Sequence, residues 1–267
     1  MPVSLALRGR HCDDDLAEAA WADAVALLRE ADRVFSTFRA DSWVSRLGRG
    51  EVGVGGCPPE VAEVLALGER ARLESDGAFD VRRTGADGVP VLDPSGVVKG
   101  WAVGRAAALF AALDETDVCL SAGGDMVCRT AAPGSPGWRV GIEDPADPTR
   151  LVAIVPVRNG AVATSGAAHR GSHVAHGRTG TVPTAVASVT VLGPDLTWAD
   201  IDATAAFALD RDALAWLRTR PGRRGLVVWS DGRTDLVDNL AGGAAADRQD
   251  VAGASATTAS RRLTFAW

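Results

Sequence analysis

The feature that most constrains this chain is a change of hydrophobic period along it. Apolar residues recur every three or four positions as far as Leu113, whereas short β-type runs dominate from Val118 to Leu192. Helices and strands segregated in this way do not give the strict strand-helix alternation of a doubly wound sheet, so the expected architecture is α+β.

Val3 to Arg8 alternates as a strand. After Asp13-Asp14-Asp15, which can cap a helix and complement its dipole, Leu16, Ala20, Ala24, Leu27, Leu28, Ala31 and Val34 mark one face of a long helix. Pro58-Pro59 open a second helix with Val61, Val64, Leu65, Gly68 and Ala71 on one face, and Gly77 lies just past its end. A third helix is expected from near Gly100 through Ala106, Leu109, Phe110 and Leu113. Strands are expected at Val118–Ser121, Trp138–Ile142, Leu151–Val157, Ala161–Thr164, Ala185–Leu192, Leu226–Trp229 and Arg262–Trp267, with helices at Ala199–Leu209 and Asp212–Arg218. Asp144-Pro145-Ala146-Asp147-Pro148 is a turn signal. Residues 241–260, rich in Ala, Gly, Ser and Thr, have the composition of a flexible connection.

At 267 residues and 46% hydrophobic, the chain is long enough to bury a full core as one unit, 1–267. A net charge of -6 argues against nucleic acid as a partner, because such binding rests on clustered Lys and Arg. Cys12, Cys57, Cys119 and Cys128 lack Cys-x-x-Cys spacing and are expected as free, mostly buried thiols. Neither a basic leader followed by an apolar core nor a membrane-length apolar run is present, which gives the expectation of a cytoplasmic protein without a membrane anchor.

Several groups carry chemical potential. Asp200 and Thr204 are four apart on an expected helix, so a carboxylate and a hydroxyl can face one atom, a donor pair that suits Mg²⁺. The same pair also suits a helix cap and a packing contact, and alone it decides nothing. Glycine-bearing turns at Ser95-Gly96-Val97-Val98-Lys99-Gly100, Ser121-Ala122-Gly123-Gly124-Asp125 and Ala163-Thr164-Ser165-Gly166 let backbone approach a ligand, and Lys99 can reach a phosphate from a helix start. None has Walker A or Gly-x-Gly-x-x-Gly spacing. His169, His173 and His176 fall in one Gly- and Arg-bearing loop, open to reading as a metal cluster, a substrate loop with a histidine base, or a solvated loop.

The order of the pieces is more specific than any one of them. Phe35-Ser36-Thr37-Phe38-Arg39 with Asp41-Ser42 and Ser45-Arg46-Leu47, then Gly77-Ala78-Phe79-Asp80, then Gly96-Val97-Val98-Lys99-Gly100-Trp101, resembles the ApbE family. The resemblance continues through Gly123-Gly124-Asp125, Trp138-Arg139-Val140-Gly141-Ile142 with Asp144-Pro145, Ala163-Thr164-Ser165-Gly166, His173 with Arg178-Thr179-Gly180, and Ala199-Asp200 with Thr204. It implies a compact α+β unit like the T-fold. It also implies an FAD:protein FMN transferase, which uses Mg²⁺ to cleave FAD, releases AMP and joins FMN by a phosphoester to Thr or Ser of an acceptor flavoprotein; some members instead hydrolyse FAD to FMN and AMP.

By the same resemblance, the metal ligands are the Asp200 and Thr204 side chains and the Val98 carbonyl, and His173 is the base. Lys99, the Gly123-Gly124-Asp125 turn, Thr164, Ser165, Ser42, Phe79, Asp80, Arg178 and Thr179 are the implied FAD contacts. The chain departs from the family pattern at Gly48, where Asn is usual, at His176-Gly177 in place of Asp-Pro, at Gly104 in place of Asp, and in a short 81–92 segment.

Overall fold

A computed structural model describes residues 1–84, 90–166, 174–240 and 260–267. Its centre is an eight-stranded antiparallel sheet. The strands are β1 (Pro2–Gly9), β4 (Thr116–Ala122), β5 (Asp125–Arg129), β8 (Gly160–Gly166), β9 (Val186–Gly193), β10 (Arg224–Trp229), β11 (Thr234–Asp238) and β12 (Ser260–Ala266). Their order is β11-β10-β9-β8-β5-β4-β1-β12. Two short strands, β2 (Arg82–Thr84) and β3 (Pro90–Leu92), pair separately, as do β6 (Trp138–Asp144) and β7 (Asp147–Val157).

The helices form the other layer. In α1 (Asp15–Phe35) the Asp14 side chain accepts from the Ala17 N–H, satisfying one of the orphan donors of the first turn. Its buried stripe is Ala17, Ala24, Val25, Leu28, Ala31, Val34 and Phe35. Leu16, expected on that face, is exposed instead, and Ala17 fills the buried position of the first turn. A short helix not anticipated from the pattern, α2 (Trp43–Gly48), is capped by Ser42, and α3 (Pro59–Glu74) buries Val61, Val64, Gly68 and Ala71 as expected.

The helix expected from Gly100 begins earlier. It is α4 (Ser95–Ala108), continued by a 3-10 turn over Leu109–Ala112. The remaining helices are α5 (Leu196–Ala208) and α6 (Ala213–Arg218). Nearly every side of α5 is buried, the property of a central helix rather than a surface one. It packs on α4 and on strands β8 and β9.

The sheet therefore has two differently covered faces. Val189, Val191, Ala161 and Ala163 join the core beneath the helices, whereas Cys128, Val162, Leu226 and Val228 pack with Val140, Ile142 and Val157 of the β6–β7 hairpin. The Asp144–Asp147 turn closes that hairpin as its sequence implies. β5 and β11, which the hydrophobic pattern does not reveal, are short strands carrying Asp125, Arg129, Asp235 and Asp238 among few apolar residues.

Candidate active site

The close meeting of α4 and α5 builds the site. Gly100 makes it possible, since a Cβ there would stand 2.8 Å from the Leu196 carbonyl oxygen and 3.0 Å from Asp200 Cβ. With no side chain in the way, the Gly100 N–H donates to Asp200 Oδ2 at 3.1 Å. Asp200 Oδ1 lies 3.3 Å from Lys99 Nζ, and Lys99 Nζ lies 2.7 Å from Asp125 Oδ2. Asp125 is fully buried at the start of β5, and its Oδ1 accepts from the Thr164 N–H of β8 at 3.2 Å.

The buried carboxyl groups of Asp125 and Asp200 thus share the Lys99 ammonium. Burial, the largest influence, pushes the Asp200 carboxyl up to about 7; the Asp125 charge adds to this, while Lys99 and the Gly100 N–H oppose it. Next along α5, Asp202 faces another way and is held by Arg220 Nε at 2.8 Å and Arg223 Nε at 3.1 Å, so two acids two residues apart have different work.

One turn beyond Asp200, the Thr204 hydroxyl lies 2.9 Å from the Ser165 hydroxyl. Asp200, Thr204, Lys99, Asp125 and Ser165 are therefore linked through contacts between α4, α5, β5 and β8. Thr164 contributes its backbone N–H to this group, but its hydroxyl lies 2.9 Å from that of Thr190 on the opposite sheet face, as strand alternation requires. Gly123 and Gly124 both have positive φ, 57° and 95°, and form the exposed two-residue turn that delivers Asp125. Val98 is buried in the first turn of α4, one residue before Lys99.

The other expected contacts occupy a neighbouring region. Ser42 is fully buried and caps α2 by accepting from the Ser45 N–H. Phe79 is buried against Gly96, where a Cβ would approach its ring to 3.0 Å, tying the Gly77-Ala78-Phe79-Asp80 loop to the start of α4. Asp80 Oδ1 accepts from the Arg82 N–H at 2.7 Å.

Segment 174–181 docks on this loop: the Gly177 N–H donates to the Ala78 carbonyl and the Arg178 N–H to the Gly77 carbonyl, both at 2.9 Å. Glycine is needed at 177, since a Cβ would lie 2.6 Å from Asp80 Cβ. Arg178 is clamped by Asp76 through two 2.9 Å hydrogen bonds, and Thr179 Oγ1 donates to Thr181. His169 and His173 lie outside the described residues.

Pairings such as Asp76 with Arg178 and Thr164 with Thr190 span long sequence separations and leave no local signal. The Ser75-Asp76-Gly77 turn alone does not mark Asp76 as an arginine partner. Among the described residues no three His, Cys, Asp or Glu side chains gather as a metal cluster. The described histidine of that loop, His176, accepts from the Thr179 N–H at Nδ1.

The ApbE family model matches residues 89–227. The chain is similar in structure to the apo flavinyl transferase ApbE of Pseudomonas stutzeri, at 21% identity and TM-score 0.70, over 89% of this chain and 93% of that one. It is also similar to the flavin transferase ApbE of Vibrio cholerae, at 21% identity and TM-score 0.69 over 89% and 96%, and to the ApbE protein of Thermotoga maritima, at 20% identity and TM-score 0.64 over 87% and 92%. No curated protein matches the chain. The agreement extends the α+β fold of those structures to nearly the whole of this chain.

Proposed function

The chain belongs to the ApbE family, and from that premise we propose that it is a magnesium-dependent FAD:protein FMN transferase. The observation that carries this reading is the buried group in which Asp125 and Asp200 share Lys99, with the Thr204 hydroxyl one turn away.

The donor set fits Mg²⁺. Asp200 and Thr204 offer hard oxygen atoms on one helix face, with a second buried carboxyl, that of Asp125, joined to Asp200 through Lys99, the oxygen-rich surroundings that suit this cation. Asp200, Thr204 and the Val98 carbonyl would hold the ion, which when bound neutralises charge on a pyrophosphate as it is cleaved.

The chain's own residues supply the rest of the reading. Asp125 and Asp200 fix Lys99 near the start of α4, where its ammonium and the positive end of the helix favour a phosphate. Gly123 and Gly124 keep the approach to Asp125 free of side chains. An acceptor Thr or Ser oxygen would form a bond to the FMN phosphorus as the bond to AMP breaks, with His173 as the proposed base for the hydroxyl proton. FAD and a flavoprotein bearing the acceptor residue are the expected partners, and the cytoplasm the expected site of action.

The alternatives are FAD hydrolysis to FMN and AMP, with water as acceptor, and FAD holding without cleavage, the latter favoured by Gly48, which presents no amide where the family usually has Asn. The test is AMP release from FAD with and without Mg²⁺. Mg²⁺-dependent AMP is expected from the native chain, and its loss from Asp200→Ala and Thr204→Ala. Undiminished release in both variants would sink the metal assignment.

A further inference from the structure

Away from the site, the hairpin that carries Asp125 holds two thiols directly opposite each other. Cys119 of β4 and Cys128 of β5 are register partners, and the Cys128 thiol donates to Cys119 Sγ at 3.8 Å. The kind of pair they form follows from the turn. Gly123 and Gly124 are the whole loop, so Ala122 and Asp125 flank a two-residue hairpin and form a hydrogen-bonded pair. Counting back, Ser121 with Met126 is non-hydrogen-bonded, Leu120 with Val127 hydrogen-bonded, and Cys119 with Cys128 non-hydrogen-bonded again. Such pairs bring Cα atoms to about 4.5 Å, within the roughly 4.4–6.8 Å that a disulfide spans.

From these observations we infer that Cys119 and Cys128 are a site of reversible two-electron oxidation, closing a cross-strand disulfide that staples β4 to β5. The two thiols differ in a way that orders the chemistry. Cys128 is buried under the β6–β7 hairpin, while Cys119 is half-buried beside Ala6, a small neighbour on β1. The hydrogen bond from Cys128, with the Arg8 and Arg262 guanidiniums, draws the Cys119 thiol below the usual range, whereas that hydrogen bond and burial raise Cys128.

With oxidised glutathione as the oxidant, the Cys119 thiolate attacks one glutathione sulfur, forming a mixed disulfide and releasing one glutathione thiolate. Cys128 then loses its proton and attacks Cys119 Sγ, forming the protein disulfide and releasing the second glutathione thiolate. Two protein thiols are oxidised and one glutathione disulfide is reduced. Asp125 and Cys128 are three positions apart on one strand and so lie on opposite sheet faces, which leaves the Lys99 and Asp200 group untouched.

The test uses the full chain. It is incubated with oxidised glutathione, unfolded in guanidinium with iodoacetamide present so that every remaining thiol is alkylated, and digested with trypsin, which leaves both cysteines in peptide 106–129. The expected peptide is two mass units below its reduced form and unlabelled, with Cys12 and Cys57 alkylated, and it becomes labelled after dithiothreitol. The melting temperature should rise by several degrees on oxidation in the native chain, with no rise in C119S or C128S. A peptide labelled at both cysteines, arrest as a glutathione adduct on Cys119, or a closed bond with no melting shift would overturn the inference.

Discussion

The N–H of Gly100 donates to Asp200 Oδ2 at 3.1 Å, and this bond exists because residue 100 has no side chain. A methyl group would meet the Leu196 carbonyl, Thr197 Cα and Asp200 Cβ at 2.8–3.0 Å, in backbone and first-atom positions that no rotamer change relieves. Gly100→Ala should therefore push α4 from α5, cost about 1–3 kcal/mol of stability and reduce AMP release from FAD. Urea denaturation and a turnover assay read the two effects.

Asp200 gives the pH dependence. Its carboxyl is raised from 3.8 to about 7, so the folded protein holds a proton that the unfolded chain has lost. The associated stability is fully present below 3.8 and lost as pH rises through about 7. Metal-free protein should thus lose part of its stability between those values, beyond the trend of its other groups. Asp200→Asn, which cannot titrate, should flatten that part of the curve in urea melts from pH 4 to 8.

The fold was legible in the sequence where side-chain periodicity carried it. β1, α1, α3, the β6–β7 hairpin and β9 all follow runs of apolar residues that one buried face requires. β5 and β11 are not legible, because strands of five residues, two of them charged, show too few alternations, and α2 rests on a single cap at Ser42 rather than on a stripe.

The candidate site was half legible. The spacing of Asp200 and Thr204 placed two oxygens on one face, but the bridge from Asp200 through Lys99 to Asp125 depends on the approach of α4 to α5. Only the tertiary fold sets that approach. The same holds for Arg178, whose partner Asp76 is 102 positions away.

Thr204 and Ser165 share a hydrogen bond with both residues largely out of solvent. Thr204→Val keeps the shape and removes the hydroxyl, leaving Ser165 without that partner at about 1–3 kcal/mol, and should weaken Mg²⁺ binding by roughly tenfold or more. Thr204→Ser, which retains an oxygen, should recover most of the binding. Mg²⁺ titration by calorimetry distinguishes the two variants.

Gly48 ends α2 at an exposed position where the nearest atom to a new Cβ is Leu92 Cβ at 3.6 Å, an ordinary contact. Gly48→Asn should leave folding stability within about 0.5 kcal/mol and tighten FAD binding severalfold, measured by flavin fluorescence. Unchanged affinity would detach this position from the flavin site.

The most direct measurement follows AMP and covalent flavin together when the chain is incubated with FAD, Mg²⁺ and acceptor flavoproteins or their Thr-bearing peptides. The expected result is Mg²⁺-dependent AMP in equal amount to acceptor-bound FMN. AMP matched only by free FMN, or FAD bound and left intact, would contradict it.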